Sequence, residues 1–139
     1  MMATVAKIAL QGATLSFDKL YNYVVPENME LSKGCRVIVP FGKGNFKKQG
    51  MVFELANDDV HSLKQIISVI DSEPVLTDEL IEMCKYMQES ILCTYYDAVN
   101  VMLPSGITHK LIDFYSANEE FVTSLLNTDE LPVYEYLLK

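Results

Sequence analysis

The sequence lacks several features that would assign it quickly to a class of protein. It contains no apolar run near the roughly 20 residues that a membrane-spanning helix requires. It has only three cysteines, Cys35, Cys84 and Cys93, and no Cys-x-x-Cys pair, which argues against a disulfide framework and a zinc site. Cys84 and Cys93 fall in helix-like apolar sequence, where free cysteine is usually buried. His61 and His109 have no partner at ligand spacing, so we expect them at the surface.

Catalytic motifs are also missing. Gly42 and Gly44 are only two positions apart and no Gly-Lys-Ser/Thr follows them, so there is no nucleotide-binding loop. There is no nucleophile elbow and no His-Glu-x-x-His. We therefore expect that this chain is not an enzyme and holds no metal. The N-terminus has no basic region followed by an apolar stretch, so we expect no secretory signal and a cytoplasmic location.

The charge is distributed unevenly, although the chain of 139 residues carries a net charge of −8. Residues 1–50 contain seven basic and three acidic side chains, a balance of +4, and the remaining residues contain four lysines and sixteen acids, a balance of −12. A basic region of this size can contact a few phosphates. It cannot supply the steep salt-dependent affinity of a protein that binds duplex DNA along its length.

The first 70 residues are rich in strand patterns. Five segments combine β-branched or aromatic residues with Gly- or Pro-bearing boundaries: residues 4–10, 21–25, 35–39, 50–55 and 64–70. Their spacing predicts a small sandwich or barrel. The segment 42–50 between the third and fourth strands contains three glycines and three lysines, and we expect it to be the longest loop.

Helical patterns follow from residue 71 onward. Thr77 precedes two acids and an apolar pattern at helical spacing, which predicts a capped helix to about Ser90. A short helix is expected over residues 95–102, before Pro104. Further helices are predicted over residues 116–126 and from Leu131 to the chain end. The predicted class is α+β, mainly β: a small OB-like barrel (residues 1–106) with a C-terminal helical hairpin.

Three local features suggest a binding site, and each has a simpler interpretation. The pair Tyr21 and Tyr23 is expected on one strand face, either as core packing or as a stacking platform with Asn22 reading a base or sugar edge. The basic, Gly-bearing segment around Gly42 is either a solvated turn or a loop that contacts phosphates. Lys64 is either a solvated charge or a ligand-binding cation.

The order of five segments resembles the primosomal protein N-prime (PriA) family of replication-restart helicases. Residues 18–27, DKLYNYVVPE, are similar to its D[KR]x[FY]xYxVPE strand, and residues 34–43, GCRVIVPFGK, match its GxRVxVPFG segment. The segments GMV, VIDSEPVLT after Lys64, and LCTYYDAV followed by LPSG are similar to later parts of the family pattern. Each motif alone is weak, whereas five in order over residues 5–106 are specific.

The resemblance implies a domain that captures the 3′ end of a nascent DNA strand at a stalled fork. In this family the terminal nucleotide lies in a small pocket, and the matching positions here are Tyr21, Asn22, Tyr23, Gly42 and Lys64. Lys43, Lys47 and Lys48 are candidate phosphate contacts. Family members often have Asp in the middle of the aromatic triplet. The Asn here keeps an acceptor, adds donors and removes the charge, so hydroxyl binding should survive.

The resemblance also implies properties of a longer parent protein. Residues 107–139 would be the start of a winged-helix domain that is only partly present. The parent would be a bacterial, ATP-dependent 3′-5′ DNA helicase using ATP, Mg and Zn, none of which this chain is expected to bind. Expected partners are branched or single-stranded DNA with a free 3′-hydroxyl and, through the full-length helicase, other primosome proteins and single-stranded DNA-binding protein. No membrane partner is expected.

Two other functions remain open at this point. The acidic C-terminal half could dock the helicase core or a primosome partner, which would make the chain a protein-interaction or structural domain. A small-molecule-binding barrel has only the aromatic residues in its favour. A preference for DNA with a free 3′-hydroxyl would separate end capture from both.

Overall fold

The fold was obtained as a computed structural model that describes residues 2–107, 110–112, 114–118 and 125–138. The chain divides into two compact units, Met1–His109 and Lys110–Lys139. No helix in these described ranges is long and apolar enough to cross a membrane. The fold is α+β and mainly β, since the strands of one antiparallel sheet contain more residues than the three described α-helices.

Five strands form a single sheet with the order β2-β1-β4-β3-β5, in which every neighbouring pair is antiparallel. The strands are β1 (Met2–Leu10), β2 (Leu20–Val24), β3 (Arg36–Phe41), β4 (Phe46–Asp59) and β5 (Ser68–Val69). Each of the five segments that the sequence predicts as strands therefore contains a strand. The fifth is much shorter than predicted, because only two of its residues pair with β3.

The predicted long loop over residues 42–50 is wrong. The chain reverses within a four-residue turn, residues 42–45, and β4 begins at Phe46, which pairs with Phe41. Gly42 and Asn45 both have positive φ, and this left-handed backbone makes so tight a turn possible without a longer loop. Lys47 and Lys48 therefore lie on a strand and not in a loop.

The two edges of the sheet approach one another. Val24, at the end of edge strand β2, forms a parallel bridge with Gln65, which lies shortly before edge strand β5. The Val24 N–H donates to the Lys64 carbonyl at 2.9 Å, and the Ile66 N–H donates to the Val24 carbonyl at 3.0 Å. This contact brings residues 62–66 beside β2, which is where the site is found.

Both faces of the sheet are buried. On one face, side chains from different strands pack on one another and form a core cluster: Ala6, Ile8, Leu10, Tyr23, Val25, Val37, Val39, Val52 and Ile66. The other face is covered by two helices, with a second cluster: Ala9, Met51, Phe53, Leu76, Ile81, Cys84, Tyr96, Ala98 and Val99. The unbroken apolar run 51–53 in β4 follows from this arrangement, because successive side chains of a strand enter opposite cores.

The helices of the first unit begin at threonine caps. α1 (Asp78–Ser90) begins after Thr77, whose hydroxyl accepts the Leu80 N–H, as predicted. α2 (Tyr95–Met102) has the predicted bounds, and its first turn is closed by a reciprocal capping box between Thr94 and Asp97. Cys84 is buried as expected, while Cys93 is only half-buried.

The second unit contains α3 (Leu131–Leu137), which begins where the sequence predicts a helix. The Tyr134 hydroxyl donates to the Asn118 carbonyl at 2.6 Å. The helix predicted over residues 116–126 lies partly outside the described residues, and residues 116–118 are not helical. His61 is exposed, and His109 lies outside the described residues.

Candidate nucleic-acid interface

Tyr23 is a core residue. Its side chain is only 4% exposed, and its hydroxyl donates to the Pro40 carbonyl at 2.9 Å. Burial, together with the neighbouring Tyr21, raises the pKa of Tyr23 to about 12. Of the two interpretations of the tyrosine pair, core packing therefore describes Tyr23, which belongs to the buried core of the sheet. Its hydroxyl ties the end of β3 to β2 and so fixes one wall of the site.

Tyr21 lies on the same face of β2 but nearer the surface. Its ring packs edge to face on Phe41, with centroids 5.3 Å apart and an interplanar angle of 89°. The Lys19 ammonium lies 5.0 Å from the centroid of the Tyr21 ring. The Tyr21 hydroxyl donates to the Phe17 carbonyl at 3.1 Å. The ring is thus oriented from three directions and remains half-exposed.

Lys64 and Gly42 are in direct contact. The Lys64 ammonium donates to the Gly42 carbonyl at 2.5 Å, which links the segment beside β2 to the β3–β4 turn. Gly42 has φ +71°, and a Cβ built on it would meet nothing within 4 Å. The turn therefore presents bare backbone to open space, where a ligand can approach closely.

These residues surround one cavity of about 220 Å³, which we call the end pocket. It is lined by Tyr21, Asn22, Tyr23, Pro40, Phe41, Gly42, Ser62, Leu63 and Lys64. All five residues predicted to bind a DNA end lie in this lining, although they come from three separate segments. Of the side chains that the structure describes, Lys64 is the only formally charged one in this lining, and no carboxylate lines the pocket.

Four lining residues were not predicted. Pro40 and Phe41 lie inside the quoted VPFG segment, so the motif contained them, and the packing of Phe41 on Tyr21 could not be read from it. Ser62 and Leu63 carried no signal in the sequence. They reach the pocket because the bridge at Val24 holds the chain just before Lys64 against β2.

The three candidate phosphate-binding lysines lie outside the end pocket. Lys43 and Lys47 are exposed, on the turn and at the start of β4. Lys48 is half-buried, and its ammonium lies 4.9 Å from the centroid of the Phe41 ring. Lys19 and Lys48 thus place positive charge beside Tyr21 and Phe41, the two aromatic residues of the pocket lining, in an otherwise acidic chain.

The free edge of β2 supplies hydrogen-bonding groups. Backbone groups of alternate residues in a strand point to the same side, so the N–H and C=O of Asn22 face the side on which Val24 bonds Lys64 and Ile66. The exposed Asn22 amide adds two donors and an acceptor. The pocket thus offers donors, acceptors, one cation and an aromatic edge, which suits a sugar hydroxyl and phosphate better than an apolar ligand.

Other residues of the quoted motifs are structural. Arg36 is 2% exposed and binds Asp71 through Nε at 2.9 Å and Nη2 at 2.6 Å. Its Nη1 also donates to the Ile107 carbonyl. The hydrogen bonds from the Arg36 side chain to Asp71 raise the pKa of Arg36. Asp18 accepts the Tyr95 N–H at 3.1 Å and the Gln88 side-chain amide at 3.1 Å, so it stabilises the first turn of α2.

Within the described residues, no group of three or more His, Cys, Asp or Glu side chains is placed to hold a metal ion. The three cysteines are free thiols, and burial raises the pKa of the Cys84 thiol to about 11.

Comparison with known proteins gives the family. A family model described as "3'DNA-binding domain (3'BD)" of PriA matches residues 7–104, which include the second half of β1, the strands β2 to β5 and the first two helices. The chain belongs to the PriA 3′ DNA-binding domain family. It is therefore a DNA-binding module, and the matched region is not a catalytic domain.

Curated relatives agree with this assignment. The chain is 30% identical to the replication restart protein PriA of Bacillus subtilis over 110 residues, covering 76% of this chain and 13% of that protein. It is 30% identical to the PriA of Rickettsia conorii over 131 residues, covering 91% of this chain and 19% of that protein. The chain thus spans less than a fifth of the length of either PriA relative.

Proposed function

We propose that this chain captures the free 3′ end of a DNA strand and that the end pocket holds the terminal nucleotide. The observation that carries the proposal is the convergence of β2, the β3–β4 turn and the Lys64 segment on one cavity. Membership of the PriA 3′ DNA-binding domain family supports DNA as the ligand. The small volume, about 220 Å³, supports one nucleotide rather than a continuous strand.

Each group of the pocket has a chemical task in this proposal. Asn22 and the β2 edge accept a hydrogen bond from the 3′-hydroxyl and donate to the sugar oxygens. The Gly42 backbone lies against the nucleotide, because no side chain intervenes there. Lys64 uses one of its three donors on Gly42 and directs the others to the preceding phosphate. Tyr21 and Phe41 form the aromatic wall for the base.

The charge of the chain fits this mode of binding. Recognition of one terminal nucleotide requires one pocket and a few phosphate contacts, not a long basic groove, so a net charge of −8 does not exclude it. Stacking supplies about 1–3 kcal/mol for each base. We therefore expect micromolar affinity or weaker from the isolated chain.

The wider role extends the same proposal to the parent protein. We place the chain in a cytoplasmic bacterial helicase that uses ATP and acts at stalled forks with other primosome proteins and single-stranded DNA-binding protein. The bridge between the two sheet edges supports an OB-like closed barrel for the first unit. For the second unit we propose the start of a winged-helix domain.

Fluorescence anisotropy with three forms of one oligonucleotide sequence tests the proposal. The forms are linear with a 3′-hydroxyl, linear with a 3′-phosphate, and circular without an end. We expect the 3′-hydroxyl form to bind best, because a phosphate cannot donate to the acceptors of the pocket and a circle cannot enter it. Equal affinity for all three forms would exclude end capture, and absence of DNA binding would favour the protein-interaction alternative.

A further inference from the structure

A second cavity lies beside the end pocket. It has a volume of about 320 Å³, within the lower range of sites for small organic ligands. Its lining consists of Leu10, Gly12, Ala13, Thr14, Phe17, Tyr21, Phe41 and Lys48. Most of these groups are apolar, so we call it the apolar pocket.

The two pockets share a wall. Tyr21 and Phe41 line both of them, and their rings pack edge to face with centroids 5.3 Å apart. Because the two cavities meet at this pair, a nucleotide next to one held in the end pocket lies within reach of the apolar pocket. The nucleotide next to the terminal one is therefore the part of the DNA strand that can enter the apolar pocket.

The apolar pocket has the groups that a nucleobase needs. Phe17 is 71% exposed at its rim, although large aromatic side chains usually bury most of their area. The Tyr21 hydroxyl donates to the Phe17 carbonyl, so the 3-10 turn Leu15–Phe17 is fixed to the wall that both pockets share. An exposed ring at the rim of a pocket that also contains Tyr21 and Phe41 offers a stacking surface that tolerates any base.

Lys48 adds the charge that a phosphate requires. Among the described residues it is the only formally charged one that lines the apolar pocket, and its ammonium lies against the Phe41 ring. This position is beside the shared wall, where the phosphate linking two nucleotides in adjacent pockets would run. A purely apolar ligand would gain nothing from a cation at that point.

We propose that the apolar pocket binds the base of the penultimate nucleotide, with Phe17 as a stacking residue and Lys48 as the contact to the phosphate between the last two nucleotides. This inference rests on the proposed function and goes beyond it, because it makes the ligand a 3′-terminal dinucleotide. It predicts a base-dependent contribution to affinity one nucleotide away from the end.

Abasic substitution in a 3′-hydroxyl oligonucleotide tests the inference with the unmodified 139-residue chain. One abasic residue is placed at the penultimate position or, as a control, at the sixth position from the end. Loss of one stacking contact should weaken binding about tenfold at the penultimate position. The control position should change affinity less than about twofold. An equal effect at both positions would overturn the inference.

The variant Phe17→Ala links the effect to the pocket. It should weaken binding of the intact oligonucleotide about tenfold, and the further penalty of the penultimate abasic site should then nearly vanish. Tyr86→Ala is the matched control, because Tyr86 is a similarly exposed aromatic residue (65%) on α1 that lines neither pocket. A full abasic penalty in Phe17→Ala would contradict a role for this ring.

The same titrations separate the two proposals. If the 3′-hydroxyl remains preferred over the 3′-phosphate while the penultimate abasic site has no specific effect, the dinucleotide inference fails and end capture stands. If the preference for the 3′-hydroxyl is absent, end capture fails, and the inference that depends on it fails as well.

Discussion

Lys64 and Gly42 are 22 positions apart in the chain, yet the Lys64 ammonium donates a hydrogen bond to the Gly42 carbonyl at 2.5 Å. This bond joins the segment that closes the sheet to the turn between β3 and β4. The lysine thus has a structural partner on one side and the end pocket on the other. The pocket therefore depends on where the fold places these two residues, and not on their residue types alone.

Removing the Lys64 charge should weaken end binding. We expect Lys64→Met to lower the affinity for a 3′-hydroxyl oligonucleotide about 10- to 100-fold, because hydrogen bonds to charged groups contribute about 1.5–3 kcal/mol. The melting temperature should change little, since Lys64 is exposed. Anisotropy titration measures the affinity. Lys110→Met removes an exposed lysine outside the matched region and serves as the control. Equal losses in the two variants would indicate a general charge effect.

Filling the end pocket at Gly42 should abolish end binding. Gly42→Trp places a large side chain in the open space beside the pocket, at a stability cost of about 1–3 kcal/mol for the positive φ. Gly106→Trp is a close control, because Gly106 also has positive φ and an open environment but does not line the pocket. Both variants should melt at similar temperatures, and only Gly42→Trp should lose the preference for a 3′-hydroxyl. Retention of that preference would show that the nucleotide lies elsewhere.

The salt dependence of binding reports the phosphate contacts. Each phosphate neutralised on a single strand contributes about −0.7 to the slope of log affinity against log salt. We expect a slope that corresponds to only a few phosphates, and a decrease of its magnitude by about 0.7 in a variant that loses one contacting lysine. Lys43→Met and Lys47→Met test the two exposed lysines individually. An unchanged slope would remove that lysine from the set of contacts.

The buried pair Arg36–Asp71 should contribute to stability and not to DNA selectivity. Arg36→Met leaves the Asp71 carboxylate buried without its guanidinium, which should cost about 3–5 kcal/mol. The double variant Arg36→Met/Asp71→Leu should be less destabilised than Arg36→Met, because it leaves no unpaired charge. Urea unfolding measures both. A single variant as stable as the original chain would contradict the role of this pair.

Glu54 should make stability depend on pH in the acidic range. Its hydrogen bonds to Lys7 and Lys85 lower its pKa from 4.5 to about 2. A carboxyl with a lowered pKa in the folded state stabilises the fold above its ordinary pKa, and this contribution disappears as the pH falls toward about 2. Glu54→Gln should therefore melt lower than the original chain near neutral pH, by the small amount typical of exposed pairs. The difference should vanish near pH 2, and a constant difference across the range would contradict the assignment.

Local sequence signals predicted the elements well. The cap at Thr77 and the bounds of the helix over residues 95–102 follow from interactions within a few residues, and the structure has both. The strand positions follow from β-branched and aromatic runs. A loop was predicted over residues 42–50, whereas the structure has a turn over residues 42–45. The glycine and lysine content of this segment obscured the first residues of β4, which pair with β3.

The assembly of the site depended on contacts that local patterns do not encode. The bridge between Val24 and Gln65 and the bond from Lys64 to Gly42 connect distant segments, and only the family resemblance placed these residues together. The sequence also could not show that Tyr21 and Tyr23 differ in burial, since both are tyrosines on one face of the same strand. Their different burial depends on how β3 ends against β2.

The most direct measurement is the structure of this chain in complex with a short oligonucleotide that carries a 3′-hydroxyl. We expect the terminal nucleotide to occupy the end pocket, with its 3′-hydroxyl within hydrogen-bond distance of Asn22 and its sugar against the Gly42 backbone. A strand that passes the pocket without ending there, or a terminus bound on the α1 and α2 side of the sheet, would contradict it.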